Sequence, residues 1–344
     1  MVDQPLPVTE TVYAGRASGA HPSVTTLKRI SDHLLASLGQ TVDWYYAQMP
    51  SYYLRVTDTD EQMRHIELLH AQRRGGEGRL AMLDDALGGK LLCVGNPGSQ
   101  SLLDVVAMLR DRPFHRVELH TAKDRSLFLH AFVYAAGRPP ADFDMHAHRQ
   151  AVIATCCDGR GALPRAQVEL YLDVVDQDYL ARSTIDRIER HIRAWARLAD
   201  EDLVVHPESS GEHPETRILI ATRGIAPTAI LRHLAQVLMR HRLLLARGYL
   251  DLLPDVAEQS RQVQMTSVYL AESEGRPLGP DQQATVVADL AALRRLYVDD
   301  FNDFYAEGIF DLDQIEILRA ALGFAGQLLA VEHPFLDVFE TGLD

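Results

Sequence analysis

The chain has 344 residues, 47% of them hydrophobic, and a formal net charge of −14. That length supports two or three domains on the usual prior of about 150 residues each, with a sizeable core. The acidic balance excludes a general nucleic-acid or anionic-membrane surface, since both reward a basic patch.

The three cysteines make no disulfide framework, and adjacent Cys156 and Cys157 are badly placed to bridge each other, so a reducing cytoplasm is the expected setting. No apolar run reaches the roughly twenty residues of a membrane span. The opening MVDQPLPVTETVYAGRASGA lacks the basic and apolar regions of a signal peptide and reads as an extended arm. In residues 25–38, Leu27, Ile30, Leu34 and Leu38 keep helical spacing until Gly39, and a second short helix covers residues 42–48. Trp44, Tyr45, Tyr46, Tyr52 and Tyr53 then crowd around Met49-Pro50, an aromatic plug between helices. Thr59 with Gln62 forms a capping box, and Asp58, Asp60 and Glu61 suit a helix N-terminus. Met63, Ile66 and Leu69 form the core stripe of that helix, which ends at the Gly-rich loop 73–78.

Beyond residue 78 the pattern repeats. Lys90–Gly95 reads as a strand, Asn96-Pro97-Gly98 as a turn, and Ser99–Leu109 as a helix with Leu102, Val105, Val106 and Leu109 inward. Residues 115–121 and 127–135 read as a hairpin, residues 143–157 as a helix and residues 168–174 as a closing strand. That order is βαββαβ, the ferredoxin-like arrangement. A helix over residues 184–198, capped by Ser183, buries Ile185, Ile188, Ile192 and Trp195. After a loop at 206–214, a second copy follows: a strand at 218–222, the turn Arg223-Gly224-Ile225-Ala226, and a helix carrying Ile230, Leu234, Val237, Leu238 and His241. Strands at 243–252 and 263–272 and a helix at 281–298, with Val286, Leu290, Leu293 and Tyr297 inward, complete it; no fourth strand shows. Helices broken at Gly323 and Pro334 end the chain. The expected architecture is α+β: a helical lead (1–78), one module (79–178), a linking helix and loop (179–215), a second module (216–300) and C-terminal helices (301–344).

The aromatic run, Met49-Pro50, the Tyr52-Tyr53 pair and the Thr-capped helix carrying Gln62 and His65 resemble the N-terminal region of large NAD-dependent glutamate dehydrogenases. The resemblance covers about thirty residues directly and the rest in element order. It implies that the two repeats are ACT-type modules in front of a catalytic domain that oxidises L-glutamate to 2-oxoglutarate with NAD, releasing ammonia. It also implies small-molecule effectors, amino acids among them, bound near the turn after each module's first strand. Those positions are Asn96, Gly98 and Ser99 in one copy and Arg223 and Gly224 in the other; glycine lets a ligand approach, and a helix start suits a carboxylate.

Catalytic signals are missing. No G-x-G-x-x-G follows a strand, so NAD belongs to the parent family rather than to this chain, and no G-x-S-x-G, P-loop or H-E-x-x-H is present. His146 and His148 point to different helix faces, and Cys156 and Cys157 have no paired C-x-x-C or H-x-x-x-H spacing, so no metal site is expected. The expectation is a regulatory and oligomer-building portion with no catalytic residue, partnered by its own copies, a small effector and a separate catalytic domain or subunit, and by neither nucleic acid nor membrane. The alternative is a stand-alone amino-acid sensor of the same fold; a third is a small enzyme with an active site of a kind not visible in the sequence.

Overall fold

A computed structural model describes residues 24–50, 53–54, 57, 59–75, 80–85, 89–97, 99–109, 113–134, 139, 142–158, 161–208, 215–254, 262–292 and 301–332. The fold is α+β, and among these residues eight strands form one antiparallel sheet. The first repeat contributes α1 (Val24–Gln48), α2 (Thr59–Gly75), β1 (Ala81–Asp85), β2 (Lys90–Gly95), α3 (Ser99–Leu109), β3 (Arg116–Thr121) and β4 (Phe128–Val133). Next come α4 (Met145–Cys157), α5 (Arg165–Val174), α6 (Gln177–Arg182) and α7 (Ile185–Arg197). The second repeat continues with β5 (Leu203–Glu208), β6 (Thr216–Arg223), α8 (Pro227–His241), β7 (Leu243–Pro254) and β8 (Gln262–Glu272). Helices α9 (Pro280–Ala291), α10 (Phe301–Ala306) and α11 (Leu312–Glu332) follow.

The sheet order is β1-β2-β4-β3-β7-β8-β6-β5, so each repeat supplies four consecutive positions and the two meet where β3 pairs with β7. Strand alternation assigns the two faces. Val117 and Leu119 on β3, Leu250 on β7 and Val268 and Leu270 on β8 enter one core with α3, α8 and α9. On the opposite face Val94 and Leu129 pack under α1 and α2, while Leu219, Ala221, Leu253, Val263 and Met265 pack under α4 to α7. Opposite Leu119 stands Gly248, where an added Cβ would lie 3.2 Å from Leu119 Cδ1, so the seam is packed close at that point. Below the sheet, Asp289 on α9 binds His241 and Tyr305 at 2.7 Å each, which ties α10 to α8.

Several sequence expectations are corrected. Residues 168–174 are not a strand but lie within α5: Val168, Tyr171 and Leu172 are buried at helical spacing and Leu170 is 42% exposed. The alternating apolar residues fit both periods, and packing against α4 and α7 decides for the helix. The fourth position in each half of the sheet is filled instead by a strand that precedes the repeat's other three, β1 and β5. Strand β5 starts before the expected loop at 206–214 and includes residues 206–208. Helix α1 runs through Gly39 and α11 through Gly323; nothing lies within 4 Å of an added Cβ at either, and a mid-helix glycine costs only about 1 kcal/mol. Thr184, rather than Ser183, caps α7 by accepting the Arg187 N–H. Met63 is 52% exposed, and the buried face of α2 is His65, Ile66 and Leu69. Tyr52, Asp58, Leu293, Tyr297 and Pro334 lie outside the described residues.

The duplication extends into the leading helices. Tyr45 donates to Tyr53, whose hydroxyl contacts His65 Nδ1; the spacings are 8 and 12 residues. Tyr171, Tyr179 and His191 repeat both spacings and both contacts, at 3.1 and 2.8 Å. The aromatic plug is therefore one of two copies. All six side chains are buried. Trp44 by contrast is only partly buried, capped by Arg73 and donating to Asp124 at 2.6 Å. Tyr45→Ala and Tyr171→Ala should each cost about 3–5 kcal/mol in chemical denaturation, whereas Trp44→Ala should cost about 1 kcal/mol. An equal loss at Trp44 would place the organising contact at the rim.

Candidate functional site

On the face beneath α7 the sheet interior turns polar near the seam. Strand register lays out two rows. Glu118 on β3 faces Tyr249 on β7, which faces Ser267 on β8. His120 faces Arg247, Arg247 faces Tyr269, Tyr269 faces Arg217 on β6, and Arg217 faces Glu208 on β5. Arg247 joins this row because of an irregularity in β7. Leu245 lies in the opposite core, and residues two apart would share a side, but the register shifts between Leu245 and Arg247 and turns the arginine over. From above, α7 projects Asp186, Arg187 and Arg190, one helical turn of neighbouring positions, and the end of α6 adds Arg182.

These groups line a solvent-open cavity of about 250 Å³ formed by Arg182, Arg187, Arg190, Arg217 and Arg247, with Tyr249, Tyr269, Ser267, Thr184 and Asp186 completing its wall. Carboxylates behind the wall fix the guanidinium groups. Asp251 holds Arg187 at 2.5 Å and Arg182 at 3.4 Å. Glu208 holds Arg190 at 3.0 Å and also Arg217. Glu215 lies 3.7 Å from Arg247. Arg187 lies over Tyr249, while Arg217 and Arg247 lie over Tyr269, so the aromatic rings are cation–π surfaces. Nearer the seam Arg116 bridges Asp178 and Glu118, each at 2.8 Å. Burial works to raise the Asp251 and Glu118 pKa values, but Arg187 and Arg182 around the first and Arg116, His120 and Arg182 around the second bring both below the usual carboxylate range. The acids thus stay charged and the arginines stay aimed.

The cavity's chemistry is that of an anion receptor. Guanidinium groups held by carboxylates behind them present N–H donors without having to reorganise. Proton transfer is poorly served: burial depresses the His191 pKa to about 3, and its ring is held between Tyr179 at 2.8 Å and Ser267 at 3.4 Å. Burial likewise pushes the Tyr179 hydroxyl well up. Among the described residues no group of three or more His, Cys, Asp or Glu is placed to hold a metal, and no helix is long and apolar enough to cross a membrane.

The first repeat builds its equivalent place differently. The spacing that matches His65 with His191 matches Glu61 with Arg187 and Arg64 with Arg190. Glu61 pairs there with Lys90, which leads β2 much as Arg217 stands near the start of β6. An internal acid–base pair replaces two arginines.

The residues expected to bind an effector lie elsewhere. Asn96 is exposed just after β2, Ser99 opens α3, and Gly98 lies outside the described residues. Pro97 borders a hollow of about 30 Å³, room for a water or two. Arg223 ends β6 and Gly224 follows it; their N–H groups donate to the carbonyls of Asp202 and Gln262 at 2.9 and 3.0 Å, and Gly224 has φ +69°. The two turns follow β2 and β6, which four other strands separate, about 24 Å in all, so the structure does not bring them together. Arg217 stands six residues from Arg223, about 20 Å along the strand, at the other end of β6. Sequence reading missed the cavity because its residues are scattered from 182 to 269; the available signal was a set of arginines inside otherwise apolar strands. No protein-family model matches the chain, and no curated protein matches it.

Four buried histidines set the acid response. Burial lowers the pKa of His65, His130 and His191 to about 3 and of His233 to about 4. The unfolded chain takes up these protons near pH 6.5 and the folded one does not, so stability present above pH 6.5 is lost as pH falls towards 4. Mid-range, each histidine contributes about 1.4 kcal/mol per pH unit. Urea midpoints should therefore fall steeply between pH 6.5 and 4.5; a flat profile there would show that these rings are protonated in the folded state.

Proposed function

We propose that this chain is a regulatory and oligomer-building region like the N-terminal part of large NAD-dependent glutamate dehydrogenases, made of two ACT-type modules. Glutamate oxidation with NAD would take place in a separate domain or subunit, and a small effector, amino acids included, would bind in the cavity under α7. The observation that carries the reading is that cavity: about 250 Å³ of space walled by five arginines within an acidic chain, where the histidine that contacts Ser267 has a pKa of about 3 and is too weak a base to activate that hydroxyl. Such a site recognises anions and has no evident means to transform them. Self-association is supported by the middle of α11, where Ile317, Leu322 and Phe324 are 68, 47 and 63% exposed. A stand-alone amino-acid sensor would use the same cavity and differ only in having no catalytic partner.

The purified chain should not reduce NAD in the presence of glutamate, and at micromolar concentration it should scatter light as a dimer or larger. NAD reduction above a mock preparation would remove the regulatory assignment, and a monomer mass throughout would remove the oligomer-building one. Co-expression with the catalytic polypeptide should then yield a dehydrogenase whose rate responds to the effector; a response that persists without this chain would place regulation elsewhere.

A further inference from the structure

We propose that the cavity under α7 takes one small molecule bearing two anionic groups, carboxylate or phosphate, per chain, and that the first repeat takes none because its own Glu61 carboxylate stands where such a ligand would bind. The inference rests on the effector-binding reading above and names the effector's chemistry.

Two arrays of guanidinium groups make the case for two anions. Arg182 and Arg187 are held by Asp251 from β7. Arg190 and Arg217 are held by Glu208 from β5, with Arg247 alongside over Tyr269. Arg187 lies over Tyr249 while Arg217 and Arg247 lie over Tyr269, and the two rings meet edge-on with centres 6.3 Å apart, so the arrays stand side by side along the wall rather than at one point. A ligand with an anionic group at each end spans that separation, and a single anion engages one array only. At about 250 Å³ the space lies just under the range of drug-sized sites, so a metabolite fits and a dinucleotide does not. The charges of the wall and of the acids behind it nearly balance, so attraction comes from aimed N–H donors rather than from net charge.

The first repeat supplies an internal comparison. Where the second repeat has Arg187, the first has Glu61, and that carboxylate pairs with Lys90 at the strand start. It also lies 3.7 Å from His65, the counterpart of His191. One copy therefore carries a built-in carboxylate, and the other meets the same kind of basic strand residue with arginine.

The test uses the whole chain with glutarate and pyrophosphate as probes and butyrate and glutaramide as monoanionic and neutral controls. Calorimetry should give one site per chain for at least one dianion, with a rise in Tm that neither control produces; which dianion binds tells carboxylate from phosphate recognition. Arg190→Gln and Arg247→Gln leave Glu208 with Arg217 and Glu215 partly exposed, so both should fold, and each should weaken dianion binding about tenfold or more. The proposal is overturned by folded wild-type protein that binds neither dianion at about 10 mM, by two equivalent sites per chain, or by unchanged affinity in both variants. If dianions bind here yet leave the assembled dehydrogenase unaffected, the site stands and the regulatory reading falls. If an effector changes activity equally in both variants, the regulatory reading stands and this site falls.

Discussion

Pairing of β3 with β7 is the constraint on which the rest depends. It joins two four-stranded halves into one sheet and puts Arg116 opposite Asp251 and Glu118 opposite Tyr249. Side chains that would be outer-edge groups in either half alone become neighbours inside the protein. Asp251 is 3% exposed, and taking such a carboxylate out of water is costly unless it is paired and hydrogen-bonded. Arg187 and Arg182 come from helices above the sheet, so the ion network fixes α6 and α7 to the seam as well as the strands to each other. Removing one partner leaves an uncompensated buried charge, a loss of about 3–5 kcal/mol.

Duplication followed by divergence explains why the halves look alike in their aromatic cores and different in their charged ones. The Tyr–Tyr–His triplets are apolar bodies with polar tips, and each satisfies its own hydroxyl groups internally, so both copies serve as plugs. The helical turn that carries the histidine also carries the position filled by Glu61 in one copy and Arg187 in the other. A single reversal of charge there converts a self-satisfied pair into a receptor. The irregularity in β7 completes the difference by bringing Arg247 onto the helix-facing side.

Much of this fold could be read from hydrophobic period. Strands β2, β3, β4, β6, β7 and β8 and helices α3, α4, α7, α8 and α9 lie close to where the pattern puts them, and Leu102, Val105, Val106 and Leu109 all reach the core. The edge strands β1 and β5 were not readable. Leu-Val-Val-His-Pro-Glu includes a proline, which demotes a strand on pattern alone although an edge tolerates it, and Ala-Met-Leu-Asp-Asp is short and ends in acids. Residues 168–174 misled because Val168, Leu170, Leu172 and Val174 alternate, and only the packing partners reveal the helical face. The cavity was less accessible still. Strand register and the switch of side at Arg247 decide which arginines converge, and neither is written in local composition. The turns that a family resemblance suggested have N–H groups that β-bridging and loop closure already use, at Arg223 and Gly224.

The same burial that builds the site also determines how it responds to its surroundings. Arginine keeps its charge at any physiological pH, and Asp251 and Glu118 are held below the usual carboxylate range, so the ion network at the seam keeps its charges wherever the protein is folded. His191 is neutral because burial disfavours its charged form, and a protonated ring beside Arg187 and Arg190 would add positive charge to an already cationic place. Loss of ligand affinity on acidification should therefore follow the histidine-linked unfolding rather than precede it, because the arginines that line the cavity keep their charge and Asp251 behind them stays ionised.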